Sequence, residues 1–141
     1  MTVIEIVMGI FVLLELSNIV TMYFFPSSKK ANSVGVFTAW EQSKQYPEIH
    51  EFIKYLVYWV TGSKLIFIFL LVVIIVYGEP ALQRMSLLAL TVAVASFYWR
   101  LFPLIRKMDR RGKIEPQNYS LILGGLIFGF IVMFVIALVV G

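Results

Sequence analysis

Apolar residues fill four long runs of this chain, at about residues 3–25, 52–77, 81–105 and 119–140, and the polar residues gather between them. Each run reaches the roughly 20 residues that a helix needs to cross the hydrocarbon of a bilayer. The connections cover residues 26–51, 78–80 and 106–118, which leaves no stretch for a separate soluble domain. The pattern predicts an all-α, polytopic membrane protein, a single membrane domain over residues 1–141 whose four helices form an up-down-up-down bundle. The first run carries Glu5 and Glu15 and has no basic stretch before it, so it is expected to remain a helix rather than act as a cleaved signal.

Helix-end chemistry moves the boundaries. Pro47 suits a first helical turn, where its missing N–H costs nothing, and Glu48 and Glu51 follow at the positive end. The second helix is therefore expected over residues 47–77, roughly 45 Å long, so that it must tilt or project beyond the hydrocarbon. The third is expected over residues 81–111, with Arg110 and Arg111 in its last turn and Gly112 as its C-terminal cap. Pro103 is expected to kink this helix and free the carbonyl of Trp99, and Asn118 to cap the fourth helix. The connections then shrink to residues 26–46 and 112–118. In the longer one, Val34, Val36, Phe37 and Trp40 suit either a short helix lying in the membrane interface or an irregular loop anchored by aromatics.

Composition sharpens the class. The chain is 60% hydrophobic and 14% charged, with a mean hydropathy of +0.89, whereas soluble domains are about 45–50% apolar and about 25% charged. A disordered chain is excluded, and a soluble globular domain is not expected. The absence of cysteine excludes disulfides, thiolate nucleophiles and Cys-ligated zinc, and a lone histidine, His50, excludes a site with two His ligands. The net charge of +4 does not point to nucleic acid. Its placement is more informative. Lys29, Lys30, Lys44, Lys54, Arg106, Lys107, Arg110, Arg111 and Lys113 fall on the first and third connections or the helix ends beside them, and Arg84 stands alone on the opposite side. The positive-inside rule makes those two connections cytoplasmic and puts both termini outside, in a plasma or inner membrane. Arg106, Lys107, Arg110, Arg111 and Lys113 are expected to face the head groups of anionic lipids there. Tyr23, Trp40, Tyr46, Tyr55, Tyr58, Trp59, Tyr98, Trp99 and Tyr119 lie near the same boundary, as an aromatic belt or as packing between helices.

Three charges fall within the spans: Glu15, Lys64 and Arg100. Each costs about 2.5–3.5 kcal/mol at a helix centre and so calls for a partner or a purpose. Counting along each helix puts Glu15 about 10 Å and Lys64 about 7 Å below the cytoplasmic boundary, with Arg100 close to it. Asn18 lies one turn from Glu15 on the same face, and Ser86, Ala89, Ala93, Ser96 and Arg100 form a stripe on the third helix. Glu15, Asn18, Lys64 and Arg100 are the expected ligand or ion site, with Glu15 and Lys64 as the central pair. A purely structural pair, or separate snorkelling of the cations, is the alternative. The small stripe Ser86, Ala89, Ala93 and Ser96 is expected to pack against another helix, as is the GxxxG pair Gly125 and Gly129, within the chain rather than at a homodimer seam.

The sequence has no HExxH, GxxxxGK or GxSxG motif, and no cofactor or metal is called for. The expected function is that of a small, oligomeric transport or ion-conducting protein. The alternative is a non-catalytic accessory or scaffold subunit on a larger membrane partner, and a lipid-modifying enzyme ranks last.

Overall fold

The computed structural model describes residues 1–30 and 32–141, and among these it is helical, with no strand. Helix α1 spans Val3–Phe24, α2 Thr38–Ser43, α3 Pro47–Tyr77, α4 Pro80–Ala95, α5 Leu101–Arg110 and α6 Tyr119–Val140, with 3-10 turns at Val34–Val36 and Ser96–Tyr98. Among the described residues, four helical segments are long and apolar enough to cross a membrane: α1, α3, the α4–α5 segment Pro80–Arg110, and α6. Helix α1 is the most buried of them and touches α3, α4 and α6, while α4 and α5 both lie on α6.

Local chemistry explains most boundaries. A capping box starts α1: the Glu5 amide donates to Thr2 Oγ1 at 3.1 Å, and the Thr2 amide donates to Glu5 Oε2 at 2.8 Å. Pro47 and Pro80 occupy the first turns of α3 and α4. Gly112, at φ +68°, ends α5. Its amide bonds Asp109 O at 3.0 Å and the Lys113 amide bonds Met108 O at 3.0 Å, the paired bonds of a left-handed helix stop that glycine adopts without strain. Hydroxyls within the apolar helices bond back to their own backbone, as Thr61 does to Val57 O at 2.5 Å and Thr91 to Leu87 O at 2.7 Å.

Two expectations about the helix ends need correction. The third segment is not one helix over residues 81–111 kinked at Pro103. It breaks earlier, through the 3-10 turn at Ser96–Tyr98 and Arg100 at φ −124°, and Pro103 sits in the first turn of α5, where it breaks no bond. Asn118 does not cap α6 with its side chain; it stands in the left-handed region at φ 62°. The long connection does contain a short helix, α2 at Thr38–Ser43, one of its two expected forms. Val36 and Trp40 are buried in the protein itself, and so is Tyr119, which removes both aromatics from any belt.

The interior has two parts. Met8, Phe11, Leu87, Phe134 and Ala137 centre the first, among the long helices, where Phe11 meets Phe130 and Phe134 edge-on at 5.3 and 5.4 Å. Lipid tails are as apolar as these side chains, so close fit rather than escape from water holds such a contact inside a bilayer. Val36, Ile105, Ile114, Tyr119 and Leu123 form the second, where the two long connections meet. There Phe37 and Ile114 make an antiparallel bridge: the Thr38 amide donates to Lys113 O at 3.0 Å and the Glu115 amide to Val36 O at 2.8 Å. Lys29 Nζ lies 2.5 Å from Glu115 Oε2 across the same junction.

Candidate functional site

Helix α1 carries Glu15 and Asn18 one turn apart, and α3 brings Lys64 against both. Lys64 Nζ lies 2.7 Å from Glu15 Oε2 and donates to Asn18 Oδ1 at 2.6 Å. The paired side chains of Lys64 and Glu15 keep 28% and 22% of their exposure, so the pair borders the surface of the α1–α3 contact. Asn18 is buried, and its amide nitrogen donates to Asn32 O at 2.8 Å. Tyr119 Oη donates to Asn32 Oδ1 at 3.2 Å. A connected line of polar groups thus runs from Glu15 through Lys64, Asn18 and Asn32 to the start of α6. Opposite charge and two hydrogen bonds hold the first three groups, so a proton or ion at Glu15 would compete directly with the Lys64 ammonium.

The other residues expected at this site lie elsewhere. Arg100 is exposed, its guanidinium sits 5.9 Å from the Trp99 ring centroid, and it joins no ion pair among the described residues. The 3-10 turn is the reason. Three residues at 3.0 per turn advance about 60° beyond an α-helix, so Arg100 leaves the stripe begun by Ser86. That stripe does not pack into another helix. Ser86, Ala89 and Ala93 line a groove of about 310 Å³ against Phe67, Leu70 and Ile74 of α3, and Ser96 is exposed.

Gly125 and Gly129 are not internal contacts either: both are exposed, and a Cβ on either would meet open space. Their neighbour Gly124 makes the contact instead. It is buried, a Cβ there would stand 2.7 Å from Phe102 Cε2, and its carbonyl accepts from Tyr98 Oη. In the basic cluster, Lys107, Arg110, Arg111 and Lys113 are exposed, but Arg106 is half-buried and engaged within the protein.

Its partner is a residue that sequence reasoning passed over. The Asp109 side chain is 2% exposed. It accepts from the Asn118 amide at 3.0 Å, the Ser120 amide at 2.9 Å and Ser120 Oγ at 2.5 Å, and Arg106 Nη1 approaches to 3.7 Å. A carboxylate from the preceding helix therefore caps α6, at the end where the helix dipole favours negative charge.

Gln83 was also missed. It is buried in α4 and donates to Glu5 Oε1 at 3.2 Å and Ile75 O at 3.1 Å, joining three helices at the end far from the two long connections. Arg84 donates to Leu138 O at 2.9 Å and so caps the C-terminal end of α6. His50 is half-buried, with Nδ1 2.8 Å from Ser43 Oγ and its ring 4.6 Å from that of Trp40. Among the described residues no buried side-chain nitrogen or oxygen lacks a partner. Compared with protein-family models, curated proteins and solved structures, the chain matches none.

Proposed function

We propose that the chain is an up-down-up-down four-helix membrane protein, both termini outside, that acts as a small transport or ion-conducting protein through a charged site at Glu15, Lys64 and Asn18. The observation that carries this reading is the Glu15–Lys64 pair: two opposite charges 2.7 Å apart in helices apolar enough to span, neither fully sealed from the surface. An intramembrane ionisable pair marks an ion or proton path by default, because a plain helix contact is made more cheaply from apolar groups. Asn18 supplies the neutral partner that a displaced ammonium needs. The charge bias of the connections supports cytoplasmic placement of the Asn32 end of the polar line, beside anionic lipids.

The test is flux. The purified chain is placed in lipid vesicles containing a trapped pH dye, and a potassium diffusion potential is applied. A protein-dependent current of protons or potassium is expected, and Glu15→Gln and Lys64→Met are each expected to lower it at least about tenfold, the loss of one strong charge interaction. If both variants conduct like the parent, the site reading is wrong.

The open Gly125–Gly129 face favours a second reading, that of an accessory subunit holding a larger membrane partner. That reading expects no flux from the chain alone and a heteromeric mass when the protein is released gently from its own membrane.

A further inference from the structure

Helix α5 carries a basic groove that the Glu15–Lys64 site does not use. Phe102, Pro103, Arg106, Lys107, Arg110 and Arg111 line a cavity of about 560 Å³ along one side of this helix, within the size range of small-molecule sites, about 300–1,000 Å³. The spacing produces it: residues 102, 106 and 110 form one edge and 103, 107 and 111 the next, each four apart. The lining is graded. The aromatic ring and the proline lie at the end nearest α4, and the cations follow over eight further residues, about 12 Å of helix. Trp99, Leu101 and Leu104 are exposed beside the apolar end. Asp109 and Ser120 hold Arg106 in place from the α6 side, so one cation of the groove is fixed before any ligand arrives.

A phosphate group matches such a set of guanidinium and ammonium donors. The apolar end alongside requires that the phosphate carry a hydrocarbon chain. An acidic protein segment would match the cations but not the gradient. The geometry points to a one-to-one binding site for an anionic phospholipid in the α5 groove, its phosphate at Arg106, Lys107, Arg110 and Arg111 and the upper part of its acyl chain against Phe102 and Pro103. This rests on the reading of the chain as a membrane protein, and it goes beyond a general attraction to charged lipid by requiring one retained molecule at one place.

Native mass spectrometry of the full chain in neutral detergent tests it, with dioleoyl phosphatidylglycerol and dioleoyl phosphatidylcholine as probes. One retained phosphatidylglycerol per chain is expected, in preference to phosphatidylcholine. Lys107→Ala with Arg111→Ala should weaken its retention at least about tenfold, while Lys30→Ala with Lys54→Ala, an equal loss of charge outside the groove, should change it less than about twofold. Equal weakening by the two pairs, or equal retention of the two lipids, overturns the site.

Competition on the unaltered chain keeps the test independent of how the variants fold. Displacement by an equal concentration of glycerol phosphate would reassign the groove to a soluble phosphoester. Displacement by a polyglutamate peptide would reassign it to an acidic protein. A wash of native membranes with alkaline carbonate separates the two levels of the argument. Release of the chain removes the membrane reading itself, whereas a retained chain without lipid preference removes only the groove.

Discussion

A carboxylate with 2% exposure, such as that of Asp109, is tolerable only because three donors and a guanidinium surround it. The energetics are asymmetric. The intact cluster adds modestly to stability, but removing its centre strands the amides of Asn118 and Ser120 and the charge of Arg106 together. Asp109→Ala is therefore expected to destabilise the chain by about 3 kcal/mol, and Asp109→Asn by less, since one amide oxygen still accepts. Thermal unfolding of the purified chain checks both. Equal melting of Asp109→Ala and the parent would show the cap to be idle. The sequence shows Asp109 only as one acid in a basic run, and local rules name Asn118 instead, the residue next to the helix. What decides the matter is the return of the chain after Gly112, which no window of a few residues contains. Glu15 and Lys64 were legible for the opposite reason. Both sit in regular helices whose rise per residue is fixed, so their levels along the two helices could be matched to within the reach of their side chains.

Regularity also separates the helices that were readable from the one that was not. The bounds of α1, α3 and α6 follow from apolar run length, from Pro47 and from the run after Asn118. The third segment defeats that method at Ser96–Tyr98, where Ser, Phe and Tyr carry no breaking signal and the tighter turn coincides with contacts of Tyr98 and Phe102 with Gly124 of α6. Small residues give a parallel lesson: a GxxxG spacing marks a face that permits close approach, not the neighbour that takes it. Gly124→Ala is expected to cost about 1–3 kcal/mol, because the Phe102 ring must move. Gly125→Ala and Gly129→Ala are expected to leave folding stability unchanged or raised by up to about 1 kcal/mol each, as alanine replaces glycine in a helix. Melting curves of the three single variants decide this, and an equal loss in all three would mean that the Gly125 face is covered.

At the scale of the whole chain, two connections that look independent in the sequence are one structure. Residues 34–38 and 113–115 bridge each other, and the exposed pair Lys29–Glu115 spans the junction. The hydrogen bond and charge of Lys29 hold the Glu115 carboxyl below its ordinary 4.5, and Glu115 in turn holds the Lys29 ammonium above its ordinary 10.5. The two signs bound a window. The carboxylate contribution is full above 4.5 and disappears as the pH falls through the lowered value. The ammonium contribution is full below 10.5 and disappears as the pH rises through the raised one. Hydrogen exchange at the Glu115 amide, corrected for its intrinsic rate, should therefore speed up as the pH falls below 4.5, and Lys29→Ala should abolish that dependence. An identical profile in parent and variant would remove the pair from the junction. The sequence hinted at this part of the fold only through Val34, Val36, Phe37 and Trp40, apolar residues whose cover is supplied from far along the chain. That distance has a consequence in time. Thr38 and its acceptor Lys113 are 75 residues apart. At roughly 5–20 residues per second of synthesis, Val36 and Phe37 therefore wait about 4–15 s after they emerge before Ile114 exists to cover them. Each newly made chain passes through an interval with this apolar segment uncovered, when it depends most on whatever shields nascent segments, and a truncation before residue 113 leaves the segment exposed for good.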